Sequence, residues 1–248
     1  MIFSDLHTHT KYCDGKNTPE EVVLSAIEKG IKILGFSDHS YTPFDTEYCL
    51  KENEISNYIN EISGLKDKYR NKIEILCGIE QDYYSDTPTH NFDYVIGSVH
   101  YVKVGEEYIP IDNTAEILFE GVQKHFGGDI YSLIEEYYRL VGELAQKTKA
   151  DIIGHFDLVT KFCEQKMLFD QNHPRYVSAF KKAADQLLKA NIPFEINTGA
   201  ISRGYRTSPY PAPAIKEYIK QKGGKFILSS DSHSAEALAF GFSENLLY

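Results

Sequence analysis

Short apolar runs recur along the chain, and each run ends in a group of polar residues. This pattern is typical of buried β-strands that stop at a loop. Seven such strands are predicted within residues 1–9, 31–39, 72–83, 92–101, 150–157, 192–199 and 225–233. The first begins with Met1, Ile2 and Phe3 and leads into the sequence HTHT. The runs therefore predict a protein built around a sheet of buried strands.

The segments between these runs carry apolar residues at the spacing of amphipathic helices. Helices are predicted within residues 17–30, 50–71, 129–149, 173–191 and 211–224. In the first of them Thr18 is suited to the N-cap, Pro19 to the first helical position and Gly30 to the stop. Strands and helices therefore alternate along the chain.

A regular order of strand and then helix, with no linker rich in Gly and Ser, predicts one parallel α/β domain over residues 1–248. Seven strand and helix units are one short of a standard (β/α)8 barrel. The alternative is an open, doubly wound sheet, which would need a glycine-rich phosphate turn after the first strand. The sequence DLHTHT at that place is not such a turn, so a barrel is favoured.

The amino-acid composition limits the kinds of molecule that the protein is expected to bind. The 248 residues include 36 acidic and 26 basic side chains, giving a formal charge of −10, which argues against broad affinity for nucleic acid or an anionic membrane. The four cysteines, Cys13, Cys49, Cys77 and Cys163, are scattered and form no CxxC pair. The start of the chain lacks the features of a signal peptide, and no apolar stretch reaches the length of a membrane span. We expect a soluble, cytoplasmic protein with a small-molecule partner.

Six of the nine histidines stand where a predicted strand gives way to its loop. They are His7, His9, His39, His100, His155 and His233, and the carboxylates Glu80 and Asp231 occupy matching positions. Because all strand carboxyl ends of a parallel barrel open onto one face, these side chains should converge there. Imidazoles and carboxylates without thiolates suit zinc, manganese or iron. The other three histidines, His90, His125 and His173, are expected to be solvated or to cap helices.

At this point six motifs together resemble the polymerase and histidinol phosphatase (PHP) family. They are DLHTHTKYCDG, GFSDHS, GIEQDYY, GSVHY, GHFDL and SSDSH, in this order through nearly the whole chain. The resemblance implies a distorted (β/α)7 barrel, TIM-like in its layout, with a cluster of two to three divalent metals. Within the family the chain is most similar to the histidinol-phosphate phosphatases, through GHFDLVTKF and EINTGAISRGYRTSPYPAP.

The resemblance also implies roles for individual residues. His7 and His9 would bind a first metal with Glu80 and Asp231; Glu80 would bridge to a second metal held by His100 and His155; Asp14, His39 and His233 would hold a third. Asp38 corresponds to a family position beside a ligand, and hydrogen bonding behind the cluster or at the strand end is expected of it at least as much as metal binding. Some relatives place a histidine near Asp14 where this chain has YCDG, so the occupancy and identity of the third metal stay open. Cys13 is expected to be a partly buried thiol that does not bind metal.

The implied activity is hydrolysis of L-histidinol phosphate to L-histidinol and phosphate by a hydroxide that bridges two metals. Glu80, Asp231 and His233 would be the catalytic residues, and the proton for the departing alkoxide would come from water, Asp231 or His233. The predicted substrate-binding residues are Arg203, Arg206, Lys161 and Asn197. From position alone, Tyr41, Phe44, Asp45, Asp82 and Tyr83 could receive the imidazole and ammonium ends of histidinol.

Two other functions remain open at this point. One is a nuclease or nucleotide phosphatase of the PHP type, and the other is a non-catalytic metal-binding accessory domain. The 18 tyrosines could stack on single-stranded bases, although many lie within predicted helices and are expected to pack there. The acidic charge favours a small phosphate ester over nucleic acid, with no membrane partner and with a monomer or homodimer as the working unit.

Overall fold

Seven parallel strands follow one another around a nearly closed barrel in the computed structural model, which describes residues 3–242. The barrel strands, in hydrogen-bonded order, are β1 (Ser4–Asp5), β2 (Ile33–Phe36), β3 (Glu74–Asp82), β4 (Tyr94–Ser98), β7 (Ile152–Ile153), β8 (Phe194–Asn197) and β9 (Phe226–Ser229). Every pairing among them is parallel. The prediction of a (β/α)7 barrel is confirmed against the open sheet, while Met1 and Ile2 of the predicted first strand lie outside the described residues.

Helices cover the outside of this barrel. They are α1 (Pro19–Glu28), α2 (Ile55–Tyr69), α3 (Ala115–Phe126), α4 (Ile130–Lys147), α5 (Pro174–Leu188), α6 (Gly199–Ser202) and α7 (Pro213–Gln221). The predicted start of α1 is confirmed, because Thr18 and Glu21 form a reciprocal capping box and Pro19 is the first helical residue. In the described part of the chain, no helix combines the length and the apolar character that a bilayer span requires.

One part of the fold was not predicted from the sequence. An antiparallel hairpin of β5 (Tyr101–Val104) and β6 (Glu107–Pro110) follows β4 directly, and α3 comes after it. The hairpin strands have four residues each, which is too few to show a clear alternation of apolar and polar residues. They form a separate two-stranded sheet and, within residues 3–242, are not hydrogen-bonded to the barrel strands. This insertion forms one wall of the cavity described below.

The barrel closes where the segment after β1 meets the segment after β9. The His9 amide donates to the Ser232 carbonyl at 2.8 Å, and the Ser232 amide donates to the His7 carbonyl at 3.2 Å. Beneath this pairing, the buried Asp5 carboxylate accepts hydrogen bonds from the Ser230 amide at 3.0 Å, the Ser230 hydroxyl at 2.5 Å and the Ala239 amide at 2.9 Å. Closure therefore places residues 7–9 beside residues 231–233.

Tyr94 fills the barrel interior below the carboxyl ends of the strands. Its hydroxyl lies 2.6 Å from the Leu6 carbonyl oxygen and 2.9 Å from that of Phe36. A Cβ atom at Gly35 or Gly78 would collide with the Tyr94 ring, so glycine is required at both positions by close approach. The barrel is thus a packed core, and its open end is the floor of a site.

We expect Asp5→Asn to lower the free energy of unfolding by about 1–3 kcal/mol, because the amide would direct a donor at other donors of a buried site. Urea denaturation of the metal-free protein measures this. The exposed Asp67 on α2 provides the control, and Asp67→Asn should change stability by less than about 0.5 kcal/mol. Equal values for the two variants would show that Asp5 does not hold the barrel closed.

Candidate metal centre

The strand ends bring all nine predicted metal ligands to one end of the barrel. His7 and His9 follow β1, His39 follows β2, Glu80 lies near the end of β3, His100 follows β4, His155 follows β7, Asp231 and His233 follow β9, and Asp14 comes from the loop before α1. Residues far apart in sequence therefore meet because their strands are parallel neighbours.

Glu80 is the centre of this group and is completely buried. Its Oε1 atom lies 2.8 Å from His155 Nε2 and 3.4 Å from His100 Nε2. Its Oε2 atom lies 3.3 Å from His7 Nε2 and 3.7 Å from His9 Nε2. The two carboxylate oxygens thus face different imidazoles, which is the arrangement that a bridging ligand needs.

Asp231 joins the pair on the Oε2 side. Its Oδ1 atom lies 3.3 Å from His9 Nε2 and 3.8 Å from His7 Nε2. The residue adopts a left-handed backbone conformation with φ of 48°, which costs a non-glycine residue about 1 kcal/mol or more. The surrounding contacts hold this strained backbone, and the strain directs the carboxylate toward the histidines.

A third group lies toward the mouth of the site. One ligand atom from each of His9, Asp14, His39 and His233 lies within 4.8 Å of the others. His39 also reaches the centre, because its Nδ1 atom is 2.8 Å from Glu80 Oε2. His9 and His39 are thus shared between groups, which the resemblance to known metal sites did not predict.

The donor atoms are suited to divalent cations. His7 Nε2 and His9 Nε2 are buried and have no hydrogen-bond partner among residues 3–242, although buried polar atoms are normally paired. Burial, with the neighbouring His233 and His39, lowers the pKa of His9 to about 3, so its Nε2 lone pair is available. Burial raises the pKa of Glu80, but His39 and His7 more than offset this and hold it well below its usual range. Imidazole nitrogens together with an ionised carboxylate fit zinc, manganese or iron.

A cavity of about 360 Å³ opens above these groups. Its lining includes Asp14, His39, His100, His155, Asp231 and His233 of the candidate ligands, and also Asp45, Glu47, Tyr48, Tyr101, Pro110, Asp112, Asn113, Leu158, Lys161, Arg203 and Tyr205. The hairpin and the segment that follows it supply Tyr101, Pro110 and Asp112. The cavity is large enough to receive a small molecule over the metal centre.

Two of the four predicted substrate-binding residues line this cavity. Arg203 donates from Nη1 to the Asp231 carbonyl at 2.9 Å and from Nη2 to the Asp231 carboxylate at 3.0 Å. Lys161 donates to the Asp112 carbonyl at 2.7 Å. Both cations are therefore fixed at the edge of the candidate centre.

The other two predicted substrate-binding residues are not among those that line the cavity in the described structure. Arg206 is buried, donates to the Thr160 hydroxyl at 2.5 Å and stacks over the Tyr210 ring at 4.3 Å. Asn197 is also buried, with Nδ2 3.0 Å from Glu195 and 3.4 Å from Asp231. Sequence position alone could not show that Arg206 turns inward, away from Arg203.

The residues assigned to histidinol from position alone are mostly placed elsewhere. Of the five, Asp45 lines the cavity. Phe44 stacks on Tyr108 with ring centroids 3.5 Å apart, and the Tyr83 hydroxyl donates to Glu143 at 2.6 Å. Asp82 instead orients a candidate ligand, since its Oδ2 atom lies 3.2 Å from His100 Nδ1. Tyr41, in the loop after β2, is not among the residues that line the cavity in the described structure.

Asp38 has the hydrogen-bonding role that was expected. Its Oδ1 atom accepts from the Thr10 amide at 2.8 Å and from the Cys13 thiol at 2.8 Å, so it holds the loop that carries Asp14. Burial and the carboxylates of Asp38 and Asp14 raise the pKa of the Cys13 thiol well above its usual range. A protonated thiol is a poor metal ligand, which agrees with the expectation that Cys13 does not bind metal.

Of the three remaining histidines, His90 and His173 have the surroundings that were expected, whereas the His125 side chain is 14% exposed and contacts a carboxylate. His90 is exposed, His125 lies 3.1 Å from the exposed Glu107 near the end of α3, and His173 caps α5 by accepting from the Arg175 amide at 3.2 Å.

Glu195 was missed in the sequence, although it is part of the layer behind the ligands. It is buried, and its Oε1 atom lies 2.7 Å from His7 Nδ1. The available signal was a charged residue in the middle of the predicted apolar strand IPFEINTG, where an acid is retained only with partners.

Comparison with known proteins agrees with this architecture. Residues 5–199 match the PHP domain family. The probable histidinol-phosphatase of Deinococcus radiodurans is 30% identical over 97% of this chain and 90% of its own length. A Listeria monocytogenes protein proposed to be a histidinol phosphatase has the same fold, with a TM-score of 0.84 at 22% identity over 97% of this chain and 99% of that one.

A second solved structure is the histidinol phosphate phosphatase of Lactococcus lactis in complex with zinc, L-histidinol and phosphate. It has a TM-score of 0.65 at 22% identity and covers 94% of this chain and 87% of its own. The family match extends over well more than half of the chain and includes most of the candidate ligands. The chain therefore belongs to the PHP domain family.

Proposed function

We propose that the chain is a metal-dependent phosphomonoesterase that hydrolyses L-histidinol phosphate to L-histidinol and phosphate. The observation that carries this proposal is the position of Glu80 between two pairs of imidazoles, at the floor of a cavity that also contains Arg203 and Lys161. The similarity to histidinol-phosphatases over nearly the whole chain supports it, as does the Lactococcus lactis complex.

The ligand groups would hold two to three divalent ions. His7, His9 and Asp231 would share the first with Glu80, His100 and His155 would share the second with Glu80, and Asp14, His39 and His233 would hold the third. Divalent metals supply neutralisation of phosphoryl oxygens and a water of lowered pKa. Zinc is the ion that the Lactococcus lactis relative contains, and this donor set also suits manganese and iron.

Arg203 is suited to hold a phosphoryl group beside the centre. The Asp231 carbonyl and carboxylate fix its guanidinium, and its side chain is 31% exposed and lines the cavity. A fixed guanidinium can present two N–H groups to phosphate and stabilise negative charge as it moves in the transition state. Lys161 adds a second positive charge on the same cavity.

Carboxylates outside the ligand groups also line the cavity. Asp45 and Glu47 come from the loop after β2, and Asp112 comes from the segment after the hairpin. The stacked rings of Phe44 and Tyr108 join this loop to the hairpin, and Tyr101 donates to Asp45 at 2.7 Å. Asp112 pairs with Lys161 at 3.2 Å, whereas Asp45 and Glu47 add negative charge to the lining, which favours a phosphate ester whose alcohol carries positive charge, as histidinol does. Polyanionic nucleic acid would meet these carboxylates unfavourably.

The surroundings of Asp231 and His233 favour water as the source of the proton for the departing alkoxide. Burial raises the pKa of Asp231, but Arg203 and His7 outweigh this and hold it well below its usual range, so Asp231 is a poor acid. Both nitrogens of His233 are engaged, with Nδ1 2.8 Å from Arg203 Nη1 and Nε2 3.2 Å from Asp14. We therefore propose that water in the open cavity supplies the proton. We also propose a cytoplasmic location, which the four free cysteine thiols support.

A substrate panel tests the proposed activity. We expect the metal-loaded protein to hydrolyse histidinol phosphate with a higher kcat/KM than 4-nitrophenyl phosphate, nucleoside monophosphates or single-stranded DNA, because only histidinol offers cations to the carboxylates of the cavity. Released phosphate and DNA cleavage are measured with zinc or manganese added. Faster turnover of DNA or nucleotides would overturn the proposal, and inertness toward every substrate would favour an accessory metal-binding domain.

Substitution of the two arginines tests their separate placements. We expect Arg203→Ala to keep its metals and lose about ten- to a thousandfold in kcat/KM, the range for loss of one transition-state contact. Arg203→Lys should recover only part of this, because lysine keeps the charge without the fork. Arg206→Ala should lower thermal stability but leave kcat/KM of the folded protein near wild type.

The exposed Arg139 on α4 gives a matched control, and Arg139→Ala should change neither property. If Arg206→Ala loses most of its kcat/KM while Arg203→Ala keeps nearly the wild-type value, the assignment of these two side chains to cavity and core is reversed.

A further inference from the structure

Glu195 is a buried acid for which the proposed chemistry has no direct use. It stands in β8, its side chain is 1% exposed, and it lies behind the candidate ligands rather than in the cavity lining of the described structure. A carboxylate removed from water in this way is costly unless donors compensate it. The identity of those donors shows what the residue does.

Four donor groups surround the Glu195 carboxylate. Oε1 lies 2.7 Å from His7 Nδ1 and 2.7 Å from the Ser229 hydroxyl. Oε2 lies 3.0 Å from the His155 amide nitrogen and 3.0 Å from Asn197 Nδ2. A carboxylate offers about four acceptor sites and no donor, so this environment is saturated. A glutamine would turn an NH2 group toward two of these donors.

The contact with His7 determines the direction of its imidazole. Because the carboxylate can only accept, the Nδ1 atom of His7 must carry a proton. This leaves Nε2 to point at the centre, where it lies 3.3 Å from Glu80 Oε2. Carboxylates behind metal-bound histidines commonly fix the ring in this way.

The contact with His155 fixes the second ligand pair. The His155 amide is the point where β7 passes into its loop, and His155 Nε2 lies 2.8 Å from Glu80 Oε1. One buried carboxylate therefore touches a ligand from each side of Glu80. We propose that Glu195 is a positioning residue that holds both pairs of ligands together, so that the first and second metals lose affinity together when it is changed. This inference rests on the proposed metal centre and not on the identity of the substrate.

Metal affinity without any phosphate ester tests the inference. Zinc is titrated into the metal-free protein in competition with a chromophoric chelator, and the cobalt(II) absorption spectrum reports ligand geometry. We expect Glu195→Gln to weaken the two tightest equivalents by about ten- to a hundredfold each and to alter the cobalt spectrum. Wild-type affinity, or weakening of one equivalent alone, would overturn the proposal.

Leu144→Ala is the control for general destabilisation, because Leu144 is a buried apolar residue of α4 that packs in the hydrophobic core and belongs neither to the barrel closure nor to the candidate ligands. It should reduce stability while leaving the zinc affinities unchanged; an equal loss of affinity would assign the Glu195 effect to general destabilisation.

Should Glu195→Gln fail to fold, Glu195→Asp keeps the charge but withdraws the carboxylate from His7, and it must also weaken both equivalents. Normal affinity in Glu195→Asp would overturn the proposal. Loss of metal affinity together with an inactive wild-type protein would support Glu195 and refute the proposed substrate.

Discussion

A completely buried carboxylate at the end of a barrel is the constraint on which the rest of this structure depends. Glu80 has both oxygens directed at imidazoles, and burial of its charge would be costly without cations around it. Divalent metals held by Glu80 and the histidines would remove that cost and would use the buried imidazole nitrogens that have no other partner in the described residues. With metals bound, the same arrangement would place positive charge below the cavity, which is what a phosphate dianion requires.

Outer carboxylates hold the inner ligands in this arrangement. Asp82 lies 3.2 Å from His100 Nδ1, and Glu195 lies 2.7 Å from His7 Nδ1, so both imidazoles direct Nε2 toward Glu80. Asp38 holds the loop that carries Asp14. The barrel thus contributes two layers at its open end, and the outer layer belongs to strands and strand ends that are fixed by the sheet.

The ligand cluster could be predicted from sequence because one rule connects position to space: strand ends of a parallel barrel meet. That rule says nothing about which way a loop side chain turns, so it could not separate Arg203, which reaches the cavity, from Arg206, which packs on Tyr210. The role of Glu195 was missed because it depends on hydrogen-bond donors that the fold brings together from several segments of the chain. The hairpin was missed because four-residue strands carry almost no periodic signal.

Elemental analysis of protein purified without chelator tests the central claim most directly. The account predicts about two to three equivalents of zinc, manganese or iron per chain, because each oxygen of Glu80 serves a separate ion. Glu80→Ala should fall below about one equivalent, since both metals lose their shared ligand, whereas His125→Ala should match the wild type. Less than one equivalent in the wild type, with no gain when metal is added, would contradict the account.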